Sequence, residues 1–171
     1  MILSKFVAIA EKEVGVREVG GNNMGPRIRE YQAATWLEPG PWPWCAAFTA
    51  WVLREWLRDA EVLQTLKDTV AGPTFKPEAW RCRDASAFGW EKWARQKGLK
   101  VLPETTKARA GDIIVFDFSH IGIVAEHQTG VILRTIEGNT NGRGERDSES
   151  GDGVWRKTRH HTLAKCFIRI L

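Results

Sequence analysis

Residues 112–137 read DIIVFDFSHIGIVAEHQTGVILRTIE, which is three β-rich runs separated by two short breaks. Isoleucine, valine and phenylalanine dominate these runs, and such side chains favour strands. Ser119 and His120 separate the first two runs, and a turn that contains Gly130 separates the second from the third. Because both breaks are short, the pattern predicts an antiparallel meander. We expect its strands at 112–118, 121–127 and 131–137.

The residues before this region have a helical pattern. Apolar side chains recur at spacings of three and four, as in Cys45, Phe48, Val52 and Trp56, and Gly- or Pro-rich segments separate the helical runs. Beyond a first helix near residues 6–14, we expect helices at 26–36, 44–59, 61–67 and 86–97. Further strands are predicted at 153–157 and 165–170, with a long mobile loop at 139–153.

Helices followed by strands are typical of an α+β fold, in which N-terminal helices pack on a C-terminal antiparallel sheet. The 171 residues, 43% hydrophobic and 27% charged, fit a soluble globular chain. We find no repeat and no linker, so a single domain over residues 1–171 is predicted. Nothing in the sequence points to an obligate dimer, and we expect a monomer.

Charge and hydropathy exclude several functions. The net charge of +4 is scattered, with no run of five like charges, so nucleic-acid binding is not expected. No apolar run approaches the length of a membrane span, and membrane insertion is not expected either. The apolar residues 1–10 are too short for a secretory signal. We therefore expect the protein to be made in the cytoplasm and to act outside it only after release.

The chain has three cysteines, Cys45, Cys82 and Cys166. An odd number without a C-x-x-C motif argues against a disulfide framework and against a zinc site. The acidic residues between 147 and 152 lack the spacing of a calcium loop. No metal and no cofactor are predicted. Cys166 is interpreted as a core residue and Cys82 as incidental.

Cys45 differs because it stands at the predicted start of a helix, after Pro43 and Trp44. A helix start offers free backbone N–H groups and the positive end of the helix dipole, which stabilise negative charge nearby. A cysteine hydrolase also needs a histidine that moves a proton and a group that orients this histidine. These groups meet in space rather than in sequence.

His120 lies at the start of the second predicted strand of the meander, and Glu137 and Asn139 follow at the end of the third. If the extended backbone continues, residues 137 and 139 share a face, and one of them lies beside His120. A lone buried cysteine is usually a small hydrophobe, and a lone histidine is usually a surface residue. Their combination favours catalysis. His127, His160 and His161 are interpreted as solvated, the last two in a charged stretch with Arg159.

Four motifs occur in order: WCAAF from Trp44, AGDIIVF from Ala110, SHIGIV from Ser119 and IEGNT from Ile136. The set resembles the CHAP family, the cysteine, histidine-dependent amidohydrolases/peptidases of the papain-like superfamily. Residues 18–26 and 151–154 resemble its phage-type branch. The resemblance implies a papain-like fold and cleavage of an amide bond in bacterial peptidoglycan, as an endopeptidase or an N-acetylmuramoyl-L-alanine amidase.

The resemblance assigns roles residue by residue. Cys45 matches the nucleophile, His120 the general base and acid, Glu137 the orienting residue, and Asn139 an auxiliary polar residue. Some family members bind calcium before the nucleophile, but residues 38–42 (EPGPW) replace the Asp-rich loop, so no calcium is expected there.

Substrate contacts are assigned to four residues near the nucleophile or in the upstream motif, although core packing and turn chemistry explain them equally well: Trp42, Trp44, Asn22 and Asn23. Two functional alternatives stay open. The first is a papain-like amidohydrolase or protease with another substrate, or a secreted amidase toxin. The second is a non-catalytic wall-binding module.

Overall fold

The computed structural model describes residues 1–142 and 151–171. Its helices are α1 (Ile2–Lys12), α2 (Pro26–Gln32), α3 (Cys45–Trp56), α4 (Ala60–Leu66), α5 (Pro77–Trp80) and α6 (Gly89–Gln96). A π-helical turn, Lys67–Ala71, extends α4. The strands are β1 (Lys100–Leu102), β2 (Ile113–Phe116), β3 (Ile121–Val124), β4 (Ile132–Thr140), β5 (Gly153–His160) and β6 (Ala164–Arg169). Helices therefore precede most of the sheet, and the α+β prediction is confirmed.

The strands form one antiparallel sheet in the order β1-β6-β2-β3-β4-β5. Its centre contains the predicted meander of β2, β3 and β4. The short elements α5 and β1 were not expected, because four and three residues are too few to show a period in the sequence.

The sheet has an apolar core on each face. Ile113 and Val115 of β2 pack with the helices, whereas Ile114 and Phe116 join a smaller cluster on the opposite face. This follows from the alternation of side chains along a strand. Helix α3 is buried along most of its length and packs against α1, α2, β3 and β4. The core thus fixes the helix that begins at Cys45.

Several element ends differ from the sequence prediction. Helix α2 ends at Gln32, because the Thr35 hydroxyl donates to the carbonyl of Gln32 and closes a turn. Strand β4 continues through Thr140, so the loop predicted at 139–153 begins later than expected. Strand β5 continues to His160, three residues beyond its predicted end. Residues 143–150 of the predicted loop lie outside the described part of the chain. Within the described ranges, no helix is both long and apolar enough to cross a membrane.

Helix α3 and strand β4 approach each other most closely at Gly138. A Cβ atom at this position would lie 2.6 Å from the Cβ of Phe48 and 2.9 Å from Cζ3 of Trp44. Such distances are too short for real carbon atoms in a packed interior, so the position requires a residue without a side chain. Gly138 therefore allows the first turn of α3 to lie beside the end of β4.

Candidate active site

Cys45 is the first residue of α3 and is 5% exposed. No side chain of the described residues caps this helix start, so its first N–H groups keep their capacity to bind an anion. Trp44, which precedes the thiol, is anchored by a hydrogen bond of 2.9 Å from its indole Nε1 to Glu18. It also stacks on Tyr31 with 5.6 Å between the ring centroids. The thiol is thus held at the helix start by a rigid aromatic neighbour.

A second set of contacts fixes the loop before Cys45. The side-chain nitrogen of Gln32 donates to the carbonyls of Gly40 and Trp42, at 2.7 and 3.1 Å. Its side-chain oxygen accepts from the backbone N–H of Gly40. Gln32 is fully buried, and these bonds satisfy its side-chain amide. Gln32 could not be recognised from the sequence, because an interior polar residue in a short helix has no distinguishing pattern.

His120 lies in the turn between β2 and β3 and is fully buried. Its ring is nearly parallel to that of Phe118, with 5.8 Å between centroids, and it also stacks on Phe116. The backbone N–H of Phe116 donates to the carbonyl of His120, which closes the turn. Two aromatic rings and the turn therefore set the plane of the imidazole.

Glu137 of β4 lies beside His120, as the strand spacing predicted. Its Oε2 atom is 2.7 Å from Nε2 of His120, and both side chains are fully buried. Glycine at position 122 makes room for this contact, because a Cβ there would lie 2.6 Å from Cγ of Glu137. Glu137 therefore reaches the imidazole across Gly122 of β3, a position without a side chain.

The two ring nitrogens of His120 face different partners. Nε2 contacts Glu137, whereas Nδ1 is buried and has no conventional hydrogen bond among the described residues. The Cys45 side chain is close enough to interact with the imidazole, although the pair does not meet the full geometry of a hydrogen bond. Nδ1 is thus the nitrogen left for the thiol.

Arg159 of β5 completes the buried cluster. Its Nε atom lies 2.9 Å from Oε1 of Glu137, and an Nη atom lies 2.5 Å from Oε2. Thr135 donates to the same carboxylate from two residues earlier in β4, at 2.5 Å. Arg159 is 3% exposed. The sequence did not mark Arg159 as a site residue, because the predicted strand ended at residue 157, whereas β5 extends to His160 and turns this side chain inward.

The electrostatics of Glu137 and His120 are coupled. Burial alone would raise the pKa of Glu137, but hydrogen bonds and charge from Arg159 and His120 outweigh it and lower the pKa to about 2. Burial likewise opposes protonation of His120, but Cys45 and Glu137 raise its pKa to about 9. Because an ionised carboxylate can only accept, Nε2 of His120 must carry the proton in this hydrogen bond.

These pKa shifts predict how the free energy of unfolding depends on pH. Ionised Glu137 contributes stability above its ordinary pKa of 4.5, and this contribution is lost as the pH falls from 4.5 toward about 2. Protonated His120 contributes stability below 6.5, and that contribution is lost as the pH rises toward about 9. We expect the melting temperature, followed by circular dichroism, to be highest between pH 4.5 and 6.5.

The His120→Gln variant provides the control for this expectation. Because glutamine does not titrate, the decline between pH 6.5 and 9 should become smaller in this variant, while the acid decline should persist. An alkaline decline of equal size in both proteins would contradict the assignment to His120.

Asn139 does not follow the expected geometry. The register of β4 and β5 shifts between Glu137 and Thr140, and Asn139 has a positive φ of 53°. The extended backbone assumed for a shared face with Glu137 is therefore interrupted by a bulge. Asn139 is 3% exposed, and the hydrogen bonds of His120 among the described residues do not include it. Its auxiliary role stays a prediction.

The predicted substrate contacts lie in different environments. Trp44 is fully buried, and packing in the core accounts for this side chain. Trp42 is partly buried, and its indole donates to the carbonyl of Glu38 at 2.8 Å. Asn22 is exposed, whereas Asn23 is 8% exposed and has a positive φ of 58°, which reflects turn chemistry. Trp42 and Asn22 are thus the members of this set with accessible surface to offer.

The other two cysteines are buried and free, like Cys45. Burial raises the pKa of Cys82 to about 12 and that of Cys166 to about 11. Both thiols are therefore poor nucleophiles near neutral pH. Cys82 is 2% exposed and belongs to the core rather than being incidental.

Comparisons with known proteins identify one family. A family model described as the CHAP domain matches residues 37–139, which is more than half of the chain. The matched range contains Cys45, His120, Glu137 and Asn139. No curated protein and no solved structure gives a match to this chain.

Proposed function

Because the chain belongs to the CHAP family of cysteine, histidine-dependent amidohydrolases and peptidases, we propose that it hydrolyses an amide bond of bacterial peptidoglycan. The observation that supports this proposal most strongly is the buried contact of 2.7 Å between His120 and Glu137, with Cys45 next to the imidazole. A histidine with an ionised orienting group and a neighbouring thiol is the arrangement that nucleophilic acyl transfer requires.

In the first step, the Cys45 sulfur attacks the carbonyl carbon of the amide, with the thiol proton held by His120. A carbon–sulfur bond forms and the carbonyl oxygen becomes an oxyanion. The backbone N–H of Cys45, at the start of α3, is the first donor to this oxyanion. The imidazolium then protonates the leaving nitrogen as the carbon–nitrogen bond breaks, which releases an amine and leaves a thioester on Cys45.

In the second step, His120 takes a proton from water, and the resulting hydroxide attacks the thioester carbon. The carbon–sulfur bond breaks, the product leaves as a carboxylic acid, and the thiol is regenerated. Glu137 accepts from Nε2 throughout, so Nδ1 keeps facing the sulfur. Asn139 supports the same site, and the reaction needs no metal or organic cofactor.

Substrate binding is assigned to the surface beside the nucleophile. Trp42 and Asn22 offer an aromatic face and an amide to a peptide or sugar. The protein acts on the wall after release from the cytoplasm.

The experiment that tests the function is digestion of purified peptidoglycan from several wall types, followed by mass analysis of the fragments. A new amino terminus within a stem or cross-bridge peptide identifies an endopeptidase, and a free lactyl carboxylate on the glycan identifies an amidase. The Cys45→Ala variant is the control. If the wild-type protein releases no fragment from any wall while hydrolysing another amide, the proposed substrate is wrong.

Trp42 provides a separate test of the substrate surface. We expect Trp42→Ala to raise KM for soluble muropeptides by about 10-fold, because a lost aromatic contact typically costs 1 to 2 kcal/mol. The loss of stability, measured as a fall in melting temperature, should be smaller than this loss of binding free energy, because part of the Trp42 side chain faces solvent. A large fall in melting temperature with an unchanged KM would show that Trp42 acts only in packing.

A further inference from the structure

Arg159 makes two hydrogen bonds to Glu137, the residue that is proposed to orient the imidazole of His120. The guanidinium uses two nitrogens, Nε and one Nη, to meet both oxygens of Glu137. This forked geometry fixes the carboxylate plane, which a single point charge does not do.

The sheet register explains why a long side chain is needed. The Cα of Arg159 pairs with that of Leu133, and Thr135 pairs with Lys157. The guanidinium therefore has to extend along β4, past Thr135, to reach Glu137. A shorter residue at position 159 would leave the carboxylate without its partner.

Aromatic packing connects Arg159 with His120. The guanidinium carbon lies 5.2 Å from the ring centroid of Phe116 and 5.9 Å from that of Phe118. The same two rings stack on the imidazole. Arg159 and His120 are thus held by shared aromatic neighbours and by a shared carboxylate.

Burial decides what this contact does. Glu137 is fully buried, and a carboxylate in such a place takes up a proton unless a cation or several hydrogen bonds compensate its charge. A protonated Glu137 would be able to donate a hydrogen bond to Nε2, which would permit the imidazole tautomer that has its proton on Nδ1. In that tautomer the nitrogen next to Cys45 is not a base.

We propose that Arg159 is a positioning residue that keeps Glu137 ionised and in plane, and thereby keeps the basic nitrogen of His120 directed at Cys45. This inference rests on the proposed cysteine mechanism but names a residue outside the four assigned to it. It also lies beyond the range that the family model matches.

Among the described residues, the charged groups that act on the Glu137 carboxylate include His120 from the β2–β3 turn and Arg159 from β5, and Cys45 from α3 acts on His120. Removal of the Arg159 charge should therefore appear in the titration of His120. This effect distinguishes positioning from simple packing.

The test compares Arg159→Met, Arg159→Lys and the wild-type protein, with Arg156→Gln as the matched control from the exposed face of the same strand. The readouts are the NMR titration midpoint of His120, the pH profile of Cys45 alkylation by iodoacetamide, and kcat/KM on soluble muropeptides. We expect Arg159→Met to lower the His120 midpoint and to reduce kcat/KM by about 10- to 100-fold, the range seen when an orienting partner is lost. Arg159→Lys keeps the positive charge but not the two-nitrogen contact with the carboxylate. Its His120 midpoint, alkylation profile and kcat/KM should therefore lie between those of Arg159→Met and the wild-type protein.

Unchanged titration and alkylation profiles in a folded Arg159→Met protein would overturn the inference. If Arg159→Met does not fold, the folded Arg159→Lys protein decides, since wild-type values of all three readouts would also overturn it. Titration and alkylation need no substrate, so they separate this inference from the proposed function. A lowered His120 midpoint supports the role of Arg159 even if the wild-type protein digests no wall, whereas a raised midpoint would show that Glu137 stays ionised without Arg159 and would overturn the inference.

Discussion

Cys45→Ala is expected to abolish peptidoglycan hydrolysis, with a loss in kcat of roughly 10⁴-fold or more, as for the removal of other catalytic nucleophiles. The reason is that no other described thiol can replace it. Cys82 and Cys166 are buried, and burial raises their pKa to about 12 and about 11. Cys45→Ser should lose activity to a similar extent, because a hydroxyl is a far weaker nucleophile at the same position.

The measurement is the fall in turbidity of purified walls, with fragment release followed by mass spectrometry. Cys166→Ala is the matched control, since it removes a buried thiol of the sheet and should retain wild-type lysis once its folding has been checked. Iodoacetamide at neutral pH should label Cys45 before the other two cysteines. Undiminished lysis by both Cys45 variants would end the proposal of a cysteine mechanism.

His120→Ala is expected to lower kcat/KM by about 10²- to 10⁴-fold, the usual contribution of a general base and acid. The substitution removes the proposed proton acceptor beside Cys45 and leaves Glu137, among the described residues, with its hydrogen bonds to Arg159 and Thr135. It also removes the ring that packs against Phe118 and Phe116. Some loss of melting temperature is therefore expected together with the loss of activity.

His127→Ala is the matched control because His127 is exposed and lies outside the buried cluster. The two variants should be compared by kcat/KM at a temperature well below either melting transition, and by the rate of Cys45 alkylation. Slow alkylation in His120→Ala but not in His127→Ala would support the assigned role. Equal activity of the two folded variants would contradict it.

Much of this site could be predicted because it depends on local patterns. The β-rich runs in residues 112–137 predicted the meander, and the meander predicted that either Glu137 or Asn139 would lie beside His120. The helix start at Cys45 followed from Pro43 and the apolar spacing after it, within one residue of the observed start. These features depend on strand and helix periods, which are properties of consecutive residues.

Other parts of the site depend on irregular backbone or on burial. The bulge at Asn139 replaces the extended backbone on which the shared face with Glu137 depended. Arg159 was missed because the predicted strand stopped at residue 157, although alternate residues of β5, among them Lys157 and Arg159, are buried. A strand predicted two residues longer, with the same alternation, would have placed the Arg159 side chain on the buried face. From sequence alone, a charged residue is expected to be exposed to solvent. That expectation fails at Arg159 because its charge is paired with a buried carboxylate.

Gly138 has a consequence for any effort to alter this protein by mutation. At this position the Cα atom of the glycine packs directly against the side chains of Phe48 and Trp44, so the helices and the sheet are in close contact. The spacing between the first turn of α3 and the end of β4 is therefore set by the packing of the Phe48 and Trp44 side chains against the backbone of Gly138. Larger side chains at position 138 would push α3 away from β4 and increase the distance between the Cys45 sulfur and the His120 imidazole. Exposed positions such as Asn22 can be varied without changing this distance.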